Sequence, residues 1–386
     1  MSTAAGVGGT AAIRYRQRVR ERPRIREATF DDYPLIAALQ KRSDLGIRPF
    51  EDWKAVWSAN PVYQDRFRRW PIGWVLEGEN GEIGGSISSV PFVYRLGGRD
   101  LVAAAACAWA VDPAYRPWAL TLLDKLSHQA EADFCITTTA GPSSEPCLSF
   151  LQWSKVPVGS WQTTAFWITD YPGFLRIALL AGSFPLSRAL SYAASLGSLR
   201  RFIRHRPVPE QRPSHIIETQ SGFDGSFDEF WEEQSRRNES MLLAVRSRQT
   251  LEWHFRLLLD QSRVWILTAR EGPRLVAYAI FERHDNSTRG LKHVRLVDFQ
   301  ALEGAGQALP AILHRALEKC RQDRVHVLEC TGCWLNRPGL PHTAPPYQRA
   351  LPAWLYYYKT NSGELASLLA HPEVWAPSSF DGDACL

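Results

Sequence analysis

Trp109-Ala-Val-Asp-Pro-Ala-Tyr-Arg-Pro-Trp-Ala-Leu-Thr-Leu-Leu123 decides the reading of this 386-residue chain. Residues 101–111, which lead into it, form an apolar run without alternation, and this predicts a strand buried in the centre of a sheet. Asp112-Pro-Ala-Tyr-Arg116 breaks the run, and helical spacing resumes over 118–132. A strand that feeds a turn and then a helix brings free backbone N–H groups and the positive end of the helix dipole to one point. A pyrophosphate can be held there. Pro117 fits such a helix start, because a first-turn proline lacks an N–H that the helix would not have used.

Outward from this stretch the pattern is regular. Residues 24–27 predict a short strand, and Thr29 with Asp31 and Asp32 starts a helix carrying Leu35, Ile36 and Leu39. Residues 74–77 and 83–94 predict two strands joined through Asn80-Gly81, and Gly97-Gly98 makes the next tight turn. After the decisive helix come a strand at 134–138, a helix at 143–154 and a strand at 162–169. Residues 50–70, rich in Trp, Pro and Arg, match no simple period.

A second pass of the same texture begins near Ile216. Helices are expected at 227–236, 248–259 and 306–320, and strands at 263–270, 275–284, 293–300 and 325–330. Tyr356-Tyr-Tyr-Lys359 is expected as a terminal strand packing the second core. The order of elements repeats while the residues do not, so the fold is duplicated without a short sequence repeat.

Hydrophobic residues at 45% and charged residues at 22% fit a globular chain of two domains. The net charge of +5 is local, because seven arginines fill every even position from Arg14 to Arg26. A solvated basic arm is the expectation there, with RNA or an anionic membrane as the alternative contact. Seven cysteines and the lack of an apolar leader point to free thiols in a reducing cytoplasm. Residues 171–214 are expected to be a helical linker, the alternative being a peripheral contact of 174–206 with the inner membrane.

Val111, Pro113 and Arg116 match in place the Val-x-Pro-x-x-Arg turn of the GNAT acyltransferase superfamily, and the stretch resembles that family's acyl-CoA-binding element. Ala119 and Thr121 stand where the family commonly has glycines. Ser144, Cys147 and Leu151 fall in the register of its late helix, Asn-x-x-Ala-x-x-x-Tyr, with Lys155-Val156 in place of Gly-Phe and Leu151 in place of the tyrosine that often protonates the leaving thiolate.

The resemblance implies an α/β (α+β) fold of two tandem modules, each a mixed sheet flanked by helices. Their bounds are an arm at 1–23, a first module at 24–170 carrying the donor site, the linker, and a second module at 215–386 shaping the acceptor side. It implies acetyl-CoA or a longer acyl-CoA as donor, with an acyl carrier protein as the alternative. Ala110 and Val111 would pair with the pantetheine arm, and Arg116, Pro117, Trp118, Ala119, Leu120 and Thr121 would hold the phosphates. The activity implied is transfer of the acyl group to an amine or hydroxyl of a small molecule. A ligand-binding protein without turnover and an aminoacyl-tRNA-dependent (Fem-like) transferase are the alternatives, though nucleic acid is not the expected partner.

Glu145, Asp112 and His254 are the candidate proton-transfer groups. Gly304-Ala-Gly306 is expected to be an ordinary loop before a helix. Cys330-Thr-Gly-Cys333, near His326 and His342, has zinc spacing but ends an apolar strand, so buried thiols and no metal are expected.

Overall fold

The computed structural model describes residues 22–65, 70–158, 162–180, 216–286, 288, 290–332 and 347–386. The basic arm up to residue 21, most of the expected linker, Cys333 and His342 lie outside them.

The first sheet gathers β1 (Arg24–Glu27), β2 (Gly73–Glu77), β3 (Ile83–Leu96), β4 (Arg99–Val111), β5 (Phe134–Thr137), β6 (Ser154–Lys155) and β9 (Leu243–Ala244). Asn80-Gly81 and Gly97-Gly98 turn the chain as expected, with Gly81, Gly97 and Gly98 at φ of 77°, 59° and 71°. Helices α1 (Tyr33–Arg42), α2 (Phe50–Ser58), α3 (Pro61–Asp65), α4 (Ala119–Ser127) and α5 (Glu145–Phe150) accompany it. The stretch without a clear period holds α2, whose Trp53 and Trp57 pack edge-on at 5.2 Å, while Trp57 Nε1 donates to the carbonyl of Ser89 at 2.7 Å. α4 and α5 are shorter than the expected helices. The backbone of Gln152 turns to φ 58° after α5 and starts β6.

The second sheet runs in the order β14 (Tyr347–Ala350), β7 (Thr163–Ile168), β13 (Val327–Thr331), β12 (His293–Ala301), β11 (Arg274–Arg283), β10 (Val264–Glu271) and β8 (Ile216–Gln220). Between β7 and β8 stands α6 (Tyr171–Leu180). Helices α7 (Gly225–Arg237), α8 (Arg248–Asp260) and α9 (Ala308–Gln322) accompany this sheet, and β15 (Tyr357–Lys359) and α10 (Gly363–Leu369) follow. α9 buries Leu309, Ile312, Leu313, Ala316 and Cys320, the stripe its spacing predicts, against a core with Leu267, Phe281 and Leu296.

The two sheets exchange strands. β7, the last strand expected of the first module, pairs antiparallel with β13 from Ile168↔Val327 to Thr164↔Thr331, in the second sheet. β15, expected in the second core, instead lies between β5 and β6 in the first sheet, where Tyr357 faces Thr137 and Lys155. Alternation and β-propensity settle that a segment is extended; they carry no information on which edge it closes. Tyr356, Tyr357 and Tyr358 join one large core with Phe134, Ile136 and Trp153, and with Phe227 of α7, Phe255 of α8 and Tyr278 of β11. That core spans both halves, so each half completes the other.

Among the described residues no helix is long and apolar enough to cross a membrane, and no cluster of His, Cys, Asp and Glu has metal-binding geometry.

Candidate functional site

β4 is paired along β3 from Leu96↔Arg99 to Gly85↔Val111, but one residue is inserted on β4 between Cys107 and Ala110, where β3 advances only from Ser88 to Ser86. Ala108 takes φ 51° in this bulge. A bulge bends and twists its strand. On the other side β4 pairs in parallel with β5 only at Ala103, Ala104 and Ala105. Residues 106–111 therefore run on paired to β3 alone, with no strand on their other side among the described residues, and the sheet opens into a wedge there. Ala110 and Val111 lie in this open section. So does Trp109, whose buried Nε1 has no hydrogen-bond partner among the described residues.

The turn that follows is built on glycine. Asp112 N donates to the carbonyl of Gly84 at 2.8 Å, and the Tyr115 ring lies so close to Gly84 that a Cβ there would stand 2.0 Å from Tyr115 Cδ2. The Tyr115 hydroxyl donates to Glu82 Oε1 at 2.9 Å. With Tyr115 buried as the anchor, Arg116 and Pro117 face solvent, and the tight turn Pro113–Trp118 hands over to α4 at Ala119. The Ala119 amide donates to the carbonyl of Arg116, which joins the turn to the first turn of α4. Arg116, Pro117, Trp118, Ala119, Leu120 and Thr121 are thus brought together with the open end of β4. The Thr121 hydroxyl turns back to the carbonyl of Trp118.

The candidate proton-transfer groups are not brought together. Asp112 is in an ion pair with Arg42 at 2.8 Å, which ties the end of α1 to the turn. Glu145, on α5, is in an ion pair with Lys155 at 2.7 Å, and that bond holds its carboxyl below the usual range. His254, on α8, is 5% exposed among rings, with Phe380 at 4.5 Å and Phe255 at 4.9 Å. Both of its ring nitrogens lack a hydrogen-bond partner among the described residues, and burial pushes its pKa down to about 3. It is a neutral imidazole at physiological pH.

Asp383 escaped the reading of the sequence. The tight turn Asp383–Cys385 lies against β4. Asp383 Oδ1 accepts from Thr138 N at 2.7 Å and from the Thr138 hydroxyl at 2.8 Å, just past the end of β5, and its other oxygen accepts from the Thr139 hydroxyl. Gly382 permits this approach with φ 105°, since a Cβ would stand 2.7 Å from Thr138 Cγ2. Burial holds the Asp383 carboxyl above its ordinary value despite those bonds. Its charge reaches Cys107, the residue at which β4 starts to bulge, and burial above all pushes that thiol upward. Asp383 and Thr138 are 245 positions apart, and no local pattern couples them.

No protein-family model matches the sequence. No curated protein matches it. Solved structures do resemble the fold. A GCN5-related N-acetyltransferase from Kribbella flavida superimposes with a TM-score of 0.51 at 12% identity, over 87% of this chain and 70% of that one. N-myristoyltransferase from Saccharomyces cerevisiae with bound myristoyl-CoA superimposes with a TM-score of 0.51 at 9% identity, over 88% of this chain and 79% of that one. The chain has the GNAT fold, with two mixed sheets flanked by helices.

Proposed function

We propose that this chain is an acyltransferase that takes an acyl group from an acyl-CoA thioester in the wedge beside β4 and passes it to an amine or hydroxyl. The observation that carries this reading is the open section at 106–111 running directly into the Asp112–Arg116 turn and the start of α4. Unpaired strand amides and carbonyls suit an extended amide-bearing arm, which would bond to them as a strand does. The N-terminus of α4 and the exposed Arg116 suit the diphosphate. The donor supplies an activated carbonyl carbon and a thiolate leaving group.

The chain's own residues then act mainly by position. The bulge at Ala108 turns the strand where the carbonyl would lie, and the buried core behind it excludes water. Asp383, raised above the ordinary carboxylate range by burial, is the proton acceptor for the incoming nucleophile. Asp112 and Glu145 serve to fasten α1 and α5 through Arg42 and Lys155.

The test is release of free thiol from acetyl-CoA and longer acyl-CoAs, with and without a mixed panel of amines and alcohols. Saturable, acceptor-dependent release is expected. Arg116→Glu should weaken donor binding at least about tenfold, or 1.4 kcal/mol. Tight donor binding with no release from any donor would instead favour a ligand-binding protein. An Arg116→Glu variant with unchanged affinity would remove the turn from the donor site.

A further inference from the structure

β12 carries a bulge of its own. β11 and β12 are in register at Ile280↔Asp298, and again at Phe281↔Leu296 and Glu282↔Arg295, so Val297 is an extra residue on β12. Residues three apart on a regular strand point to opposite faces. Asp298 and Arg295 instead lie opposite Ile280 and Glu282, which are two apart, so the insertion turns both side chains to one face.

From that face both reach the stretch 378–384. Asp298 accepts from Arg246 Nε at 2.8 Å, and Arg246 Nη2 donates to Asp381 at 2.8 Å. Arg295 Nη2 donates directly to the carbonyl of Ala384 at 2.5 Å. Asp383 stands between these two ties. The backbone of Ala384 is gripped from both halves, since its N–H donates to the Thr138 hydroxyl at 3.0 Å, just past the end of β5.

The Arg295 guanidinium is itself held in place. Its Nε donates to Glu282 Oε2 at 2.7 Å, and Nη2 lies 2.7 Å from the same oxygen. Glu282 is 5% exposed, with Arg263 at 3.7 Å and His284 at 3.6 Å from its other oxygen. A charged donor bonds a carbonyl more strongly than a neutral one, and the fork to Glu282 fixes its direction. Thr138 and Thr139 orient the Asp383 carboxyl, while Arg295 holds the backbone that carries it.

We infer that Arg295 is a positioning residue for the acyl transfer: it clamps the turn Asp383–Cys385 against β4, so that Asp383 meets the incoming nucleophile. The second half thereby takes part in chemistry whose donor end lies in the first. This rests on Asp383 being the proton acceptor beside β4. A reacting group misplaced by about 1 Å costs roughly a hundredfold in rate.

The experiment uses the full chain, acetyl-CoA and longer acyl-CoAs, and the mixed panel of amines and alcohols, with kcat and KM measured for each variant. Donor affinity is measured separately, by calorimetry with a non-hydrolysable thioether analogue. Arg295→Met keeps an unbranched stem and removes the guanidinium. Its kcat should fall about tenfold to a hundredfold, with donor KM and donor affinity unchanged. Arg295→Lys, whose ammonium can serve Glu282 and Ala384 together, should recover most of the rate. In an Asp383→Asn background, Arg295→Met should cost less than about threefold more, because both act through one group. Arg295→Gln carries the same expectations if the methionine variant does not fold. An unchanged kcat, an undiminished further loss in the Asp383→Asn background, a lysine variant no better than methionine, or a parallel loss of donor affinity would each overturn the inference while the transferase reading stands. Asp383→Asn with wild-type kcat would sink it together with the assignment of the base. Wild-type protein that releases no thiol with any acceptor would overturn the inference and the transferase reading together.

Discussion

Replacing Arg246 by methionine is expected to remove about 3–5 kcal/mol of stability, enough to leave little folded protein at physiological temperature. The residue is 2% exposed, yet its guanidinium stays charged. Burial works against it, and the charges of Asp298 and Asp381 outweigh that penalty. Nε donates to Asp298 at 2.8 Å, Nη2 to Asp381 at 2.8 Å and to Ser378 at 3.0 Å, and Nη1 to the carbonyl of Ala244 at 2.8 Å. The guanidinium also covers the Phe380 ring at 4.7 Å. One side chain thereby joins the edge strand β9, the second-sheet strand β12 and the segment that delivers Asp383.

Methionine fills the volume but leaves Asp298 and Asp381 as buried carboxylates without a counter-charge, and this mismatch is the source of the loss. Arg246→Lys keeps the charge, cannot reach four acceptors at once, and should lie between. Urea unfolding followed by fluorescence of the buried tryptophans measures the effect. A midpoint unchanged in Arg246→Met would show that the network contributes nothing net.

Asp383→Asn carries the largest expected effect on turnover, a fall in kcat of roughly a hundredfold to ten-thousandfold with donor affinity nearly unchanged. The asparagine carbonyl still accepts from Thr138 N and its hydroxyl, and the new amide nitrogen can donate to the Thr139 hydroxyl once that hydroxyl turns, so the turn against β4 keeps its seat while the proton acceptor is lost. The pH profile gives the sign. The carboxyl is raised by burial, and it acts as a base only when ionised. Wild-type rate should therefore fall as pH falls through a value above the ordinary carboxylate range, and that limb should vanish in Asp383→Asn. A variant that keeps both the rate and the limb would assign the proton to another group.

Much of the fold was legible because its signals are local. The Asn80-Gly81 and Gly97-Gly98 turns, the unbroken apolar run of β4 and the Val111, Pro113, Arg116 spacing each lie within a few residues. Each produced the element it predicts. The strand, turn and helix that meet at residues 109–123 were legible for the same reason. What stayed hidden depends on long-range choice. Tyr356-Tyr-Tyr-Lys359 declares itself a strand, but closing the first sheet rather than the second depends on packing against Phe134 and Ile136.

Polar interiors are hidden more deeply still. Arg246 and Asp381 look like surface residues in a linear sequence, since burial of a charge is set by partners more than a hundred positions away. His254 was picked out as a titrating group, and its cage of Phe92, Trp253, Phe255 and Phe380 makes it a neutral one.

Amide hydrogen exchange of the full chain, with and without a saturating non-hydrolysable acyl-CoA thioether, tests the central claim most directly. Bonding of the donor arm to the open section of β4 should slow exchange within residues 106–121, while residues 293–307 of the second half stay unchanged. Saturation without protection at 106–121, or no saturable binding, would contradict an acyl-donor site beside β4.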